Sequence, residues 1–178
     1  SISKTSLARI DYNRYSVPVR HRGQVLRAEV YVDRVEVYAH DTLVAVHGRS
    51  YRRGDTILDL GHYLPAFEKK PRAAGSCAAL HQADPIFLRV RDRLLTEPGG
   101  YRLFAEILLL GLTFELDVLA LALTDCVDAG RLSVEAVRQR CLNLLHVLPE
   151  PTRVPELLKL PLPRPDLARY DALLAVTL

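Results

Sequence analysis

The sequence predicts an α+β chain: a small antiparallel, SH3-like β-barrel of five or so strands, a four-helix domain, and a proline-rich tail. Three observations predict it. Between residues 11 and 49 apolar positions recur with a period of two, the spacing of half-buried strands. From Asp84 onward they recur at helical spacing. Between Pro149 and Pro165 there are six prolines in 17 residues, a stretch too poor in backbone donors to join a helix or a central strand.

Each element follows in order. Tyr12 to Val17 reads as a first strand, ended by Pro18. Leu26 to Val32 alternates apolar residues with Arg, Glu and Tyr, and Arg34 to Ala39 repeats the pattern after a tight turn at Asp33. Leu43 to His47 follows a turn at His40-Asp41, and a short strand near Asp55 to Leu60 completes the meander. Gly61 to Lys70 reads as a short helix stopped by Pro71, and Arg72 to Ala83 as a linker of small residues.

The helical part opens with Asp84 as N-cap and Pro85 at the first helical position. Gly99-Gly100 breaks that helix, and the next carries Leu103, Phe104, Ile107 and Leu108. Thr113 caps a third helix, which Gly130 ends in the left-handed role. Ser133 caps a fourth, whose apolar face runs to Leu148 before Pro149. The resulting division is a barrel at 1–60, a short helix and linker at 61–83, a helical bundle at 84–148, and a tether with a terminal docking helix at 149–178. In that last segment Leu167, Tyr170, Leu173 and Leu174 share a helical face suited to binding a partner.

Composition narrows the function classes. With 178 residues, 49% hydrophobic, the chain buries enough surface to fold without disulfide or metal staples. Its longest apolar run, Ile107 to Leu112, is too short to span a bilayer, and residues 1–10 lack the apolar core of a signal peptide. Cys77, Cys126 and Cys141 form no C-x-x-C pair and have no histidines at zinc spacing, which predicts free thiols in a reducing, cytoplasmic setting. Met is absent even at position 1, as expected of a piece of a longer protein.

The net charge of +3 divides unevenly. Residues 1–72 hold 13 Lys and Arg against 8 Asp and Glu, and six of the eight Tyr precede residue 64. The remainder carries 11 basic against 13 acidic residues. A basic, tyrosine-bearing front and a mildly acidic, leucine-rich back imply two halves with different partners.

These residues also carry a resemblance. Asp11-Tyr-Asn-Arg-Tyr-Ser-Val-Pro18 with Asp33-Arg-Val-Glu-Val37 resembles the C-terminal barrel of IstA-type transposases of bacterial insertion sequences. Arg49-Ser-Tyr51, Gly54, His62-Tyr-Leu-Pro65 and Lys70-Pro71 resemble that family's run after the barrel, and Asp166 to Leu174 is similar to its ending. The resemblance implies a region that follows the catalytic core. It places helix-turn-helix domains and an RNase H-like core, with three carboxylates and divalent metals of the DDE type, upstream. No catalytic residue, metal ligand or cofactor is therefore assigned to this fragment. The implied partners are DNA, other transposase subunits and an AAA+ helper ATPase of the IstB type, in the bacterial cytoplasm at the nucleoid and not at a membrane.

The DNA-binding candidates are Tyr12, Arg14, Tyr15, Arg20, His21, Arg22, Arg34, Arg49, Arg52 and Arg53, with Arg27 beside them. Arginine's planar fork suits phosphate, and interleaved tyrosines suit sugars and exposed bases. The turn clusters Arg20 to Arg22 and Arg49 to Arg53 are the strongest of these, because loops reach a duplex more easily than strand centres do. The competing reading pairs the same arginines with Asp33, Glu29 and Glu36 as solvated strand faces. His62 and Tyr63 lack an evident nucleophile or acidic neighbour in the sequence, so they read as capping or packing residues. The alternative function is a pure protein-interaction module that docks other transposase domains or the helper ATPase without touching DNA.

Overall fold

A computed structural model describes residues 2–147, which fall in one compact unit. The tether and the terminal positions Leu167, Tyr170, Leu173 and Leu174 lie outside the described residues. The class is mixed α+β. Six strands come first: β1 (Leu7–Ile10), β2 (Asn13–Ser16), β3 (Arg27–Val30), β4 (Arg34–Ala39), β5 (Thr42–Gly48) and β6 (Thr56–Ile57). Six α-helices follow: α1 (Leu64–Lys69), α2 (Pro71–Gly75), α3 (Pro85–Leu94), α4 (Gly100–Leu109), α5 (Leu116–Asp128) and α6 (Val134–Val147).

The strands do not close a barrel. They form two three-stranded sheets, ordered β1-β2-β6 and β3-β4-β5. The reason lies in the connections. After β2, Pro18 and a single 3-10 turn at Val19–His21 carry the chain away, so β2 does not pair with β3. β6 returns to lie parallel to β2, with Arg14 opposite Thr56 and Tyr15 opposite Ile57. The two sheets instead share one small core of Ile2, Ala8, Tyr15, Val17, Val35, Val37 and Ala45.

β1 is absent from the expected strands. Its four residues are too few to show a period, and it exists because a two-residue turn folds it onto β2. Ile10 pairs with Asn13 across that turn, and Asp11 and Tyr12 both take positive φ, 48° and 66°. This is the type I′ geometry that matches strand twist. In the second sheet, residue alternation sets the register as expected: Val35 and Val37 face the core while Arg34 and Glu36 face outward.

The helices bury a second, larger core that includes Leu64, Phe67, Leu80, Phe87, Val90, Phe104, Ile107, Leu119, Leu123, Val137 and Cys141. Two helices, α1 and α2, pack on α4 in addition to the four from Pro85 onward, so the layer is larger than a four-helix bundle. The stretch read as a linker is packed. α2 and a 3-10 turn at Ala78–Gln82 bury Ala74, Ala79 and Leu80, because small residues let the helices approach closely.

The caps are local chemistry. Asp84 accepts from the Ile86 amide at 2.8 Å, and Ser133 from the Ala136 amide at 3.2 Å. Gly130, at φ 68°, ends α5 with Arg131 N–H donating to the Cys126 carbonyl and Gly130 N–H to that of Val127. The third cap differs from expectation. Thr113 and Phe114 both donate to the Leu110 carbonyl, which extends the preceding 3-10 turn and delays α5 until Leu116.

Candidate nucleic-acid interface

The ten candidate residues separate into three groups by what their side chains already touch. Arg49 belongs to the fold. Its Nη2 donates to Asp11 Oδ2 at 2.8 Å and its Nη1 to the Tyr31 carbonyl at 3.0 Å. The guanidinium lies 4.8 Å from the Tyr51 ring centre, and Tyr51 in turn donates to the Val32 carbonyl. This clamp joins the β1–β2 turn of one sheet to the β3–β4 turn of the other. Arg34 is likewise engaged: its Nε donates to Glu36 at 2.6 Å, and it covers the Tyr31 ring at 4.4 Å. Arg27 pairs with Glu29 at 2.6 Å and covers Tyr38. Here the solvated-face pairing describes the geometry. A hydrogen bond to Glu36 pushes the Tyr38 phenol up to about 12.

Tyr15 also moves out of the candidate set. It is fully buried, and its hydroxyl accepts from the Ser50 amide at 3.2 Å. Its place is the shared core of the two sheets, on the inward face that period-two alternation assigns to it.

The second group is partly engaged. Arg20 Nε donates to His21 Nε2, while His21 Nδ1 meets Gln24 Oε1. Arg22 Nε donates to Ser6 Oγ at 2.7 Å, leaving its terminal nitrogens without an acidic partner among the described residues.

The third group is unpaired by any acid among the described residues: Arg14, Arg52, Arg53 and, unflagged by the sequence, Lys4 and Arg9. Arg9 and Arg14 stand directly opposite each other in the β1–β2 ladder, and both are exposed. Like charges directly opposite destabilise a sheet, so the pair exists at an energetic cost that a bound anion would remove. Arg53 covers the Tyr12 ring at 4.7 Å, and Tyr12 is 61% exposed on a left-handed backbone. Arg9 escapes a reading of the sequence because its strand does; the register of β1 is the signal that finds it.

The junction between sheets and helices holds a polar network that the sequence does not reveal. Ser16 Oγ lies 2.8 Å from His62 Nδ1, and His62 Nε2 lies 3.7 Å from Asp59 Oδ2. These three residue types suggest a nucleophilic triad, yet Ser16 is fully buried and its Oγ already accepts from the Asp59 amide. The serine is a strut, inaccessible to substrate. His47, 5.4 Å from the His62 ring, donates from Nε2 to the Ser16 carbonyl. Burial, helped by His47 and opposed by Asp59, pushes the His62 imidazole down to about 4. Among the described residues no cluster of His, Cys, Asp and Glu is arranged to hold a metal ion, and no helix is long and apolar enough to cross a membrane.

Comparison with known proteins places part of the chain in a family. Residues 1–59 match the family described as the Mu transposase C-terminal domain, a span that includes all six strands. Over 97% of its length the chain is 33% identical to the transposase for insertion sequences IS1326/IS1353 of Pseudomonas aeruginosa. The chain is a relative of insertion-sequence transposases. The same identity and coverage hold for the IS1326/IS1353 transposase of Shigella flexneri, and a transposase of Aminobacter aminovorans is 32% identical over 97% of the chain. The chain spans only about a third of these relatives' length, 35 to 36%. No solved structure matches it.

Proposed function

We propose that the chain is the non-catalytic C-terminal region of an IstA-type transposase whose β-module grips the DNA backbone. The helices and the tail at Leu167 to Leu174 mediate assembly with other subunits or an IstB-type helper ATPase. The observation that carries this reading is the opposed pair Arg9 and Arg14, exposed and without an acidic partner among the described residues. With Lys4, Arg22, Arg52 and Arg53 they supply cations to phosphates, while the arginines tied to Asp11, Glu29 and Glu36 keep the scaffold rigid. Such contacts position DNA and carry little sequence information. The DDE-type chemistry, with its divalent metals, belongs in this reading to an upstream core.

Fluorescence anisotropy of the full chain with a blunt duplex, across a salt series, tests it. Binding is expected at low salt and is expected to weaken steeply as salt rises, since each neutralised phosphate releases counterions. No binding at low salt, or binding indifferent to salt, overturns the reading.

A second reading is favoured by a specific observation: Arg27, Arg34 and Arg49 are all neutralised internally. In it the module packs on other transposase domains or the helper and leaves DNA alone. It requires a stable complex with the helper that disappears when residues 166–178 are deleted, and no DNA shift.

A further inference from the structure

The outer side of β1 and β2 faces a cavity of about 550 Å³, within the usual range of ligand sites. Lys4, Arg14 and Arg22 line it together with Leu58, Tyr63 and Phe67. The charge is one-sided: three cations and no carboxylate contribute to its wall. None of the three cations pairs with an acid among the described residues. Arg14 is also held against Arg9 by the β-ladder. The apolar part comes from α1, from Leu7 and Leu58, and from small residues of α2 and the turn after it. Of its two aromatic members, Phe67 is buried, while Tyr63 is kept in place by a hydroxyl contact to the Thr5 carbonyl at 3.4 Å, and burial pushes its phenol up to about 12. Another cavity, about 660 Å³ and lined by Lys70, Arg72 and Tyr101, has its remaining cation, Arg102, bound to Glu106 at 2.9 Å.

A ligand for the first cavity must bring negative charge to the cations and a flat apolar body to the floor. A duplex offers phosphates alone, because its bases are stacked inside. An unpaired nucleotide offers both, and stacking against an aromatic residue with cations on the backbone is the general mode of single-strand recognition. We propose that this cavity receives one unstacked nucleotide of DNA, such as a base at a single-stranded end, with its phosphates on Lys4, Arg14 and Arg22 and its base beside Tyr63. The site rests on the reading that the module contacts DNA, and it adds a preference within that reading: strand ends and unpaired bases over intact duplex.

The test uses the full chain with two probes, a blunt duplex and the same duplex bearing a three-nucleotide 3′ overhang that contains 2-aminopurine. The overhang is expected to bind about tenfold more tightly than the blunt duplex, the effect of one stacked base, and its fluorescence is expected to change on binding. Ala66→Phe, which fills the cavity from α1, is expected to abolish both the preference and the fluorescence change while leaving blunt-duplex affinity intact. Should that variant fail to fold, Lys4→Gln on the exposed rim is expected to lower overhang affinity more than blunt-duplex affinity. Equal affinity for the two probes overturns the nucleotide site and leaves the DNA-contact reading standing. An undiminished preference in folded Ala66→Phe, or in Lys4→Gln, overturns the location. Tighter binding of a glutamate-rich peptide in competition with the overhang overturns the ligand class. Failure to bind either probe overturns the DNA-contact reading, and the site with it.

Discussion

At Arg49 the distinction between a scaffold cation and a ligand-binding cation becomes measurable. Its guanidinium links Asp11, the Tyr31 carbonyl and the Tyr51 ring, and its Nε is buried without a partner among the described residues. Arg49→Ala leaves two turns unclamped, and thermal unfolding should report a loss of about 1 to 3 kcal/mol. Arg52→Ala, at an exposed site, should change stability by less than about 0.5 kcal/mol while weakening DNA binding. Tyr12 makes the complementary case. Its left-handed backbone costs roughly 1 to 2 kcal/mol for a residue bearing a Cβ, offset in part by the Arg53 stacking. Tyr12→Gly should therefore melt within about 1 kcal/mol of the parent yet lose several-fold in DNA affinity, read by anisotropy. A strained, exposed aromatic retained beside an arginine is the kind of arrangement that function, not stability, maintains.

At the scale of elements, what is legible in the sequence follows from how far each signal is local. Strands β4 and β5 alternate cleanly because one face of each is buried, and that pattern is visible in the residues; β3 alternates in sequence although none of its residues is buried. The Asp84, Gly130 and Ser133 caps are readable for the same reason: each is satisfied within a few residues of itself. β1 is not readable, since its existence depends on a turn at Asp11-Tyr12 that few non-glycine pairs adopt. Nor is the parallel return of β6 onto β2, a pairing more than 40 residues apart in sequence that splits the expected barrel into two sheets. The packed stretch at 72–83 has the composition of a linker because alanines bury without any period to betray them. Residue type alone offers Tyr15 to nucleic acid, although its alternation points inward. Gly100 shows an element boundary fixed by close approach: a Cβ there would stand 1.7 Å from the Leu94 carbonyl oxygen. Gly100→Ala should cost about 3 kcal/mol or more in denaturant unfolding, against about 1 kcal/mol for Gly130→Ala, where only the backbone conformation is strained.

For the whole molecule, the two cores meet through the Ser16, His47, Asp59 and His62 network, and that junction makes stability depend on pH. The His62 imidazole sits at about 4 when folded against an ordinary value of 6.5. Between those values the unfolded chain holds a proton that the folded chain does not. Stability is therefore intact above about pH 6.5 and declines as the pH falls toward 4. The loss attributable to His62 is on the order of 2 to 3 kcal/mol. Melting temperatures of the parent and His62→Gln between pH 7 and pH 4 check this: the variant should be less stable at pH 7 and lose less on acidification. Parallel pH profiles would place the sensitivity elsewhere. In the proposed reading, the same division into two cores gives the basic β-module and the apolar helical layer different partners, as the uneven charge along the sequence implies.

Whether cations of the β-module hold DNA phosphates is read most directly from the salt dependence of binding. Log affinity for a blunt duplex should be plotted against log salt concentration for the full chain and for Arg9→Gln/Arg14→Gln. The slope should be shallower by about 2 in the variant, close to one unit for each phosphate that is no longer neutralised. Its melting temperature should equal or exceed the parent's, because the opposed charges are gone. Identical slopes, with the variant folded, would contradict a phosphate-binding role for this pair.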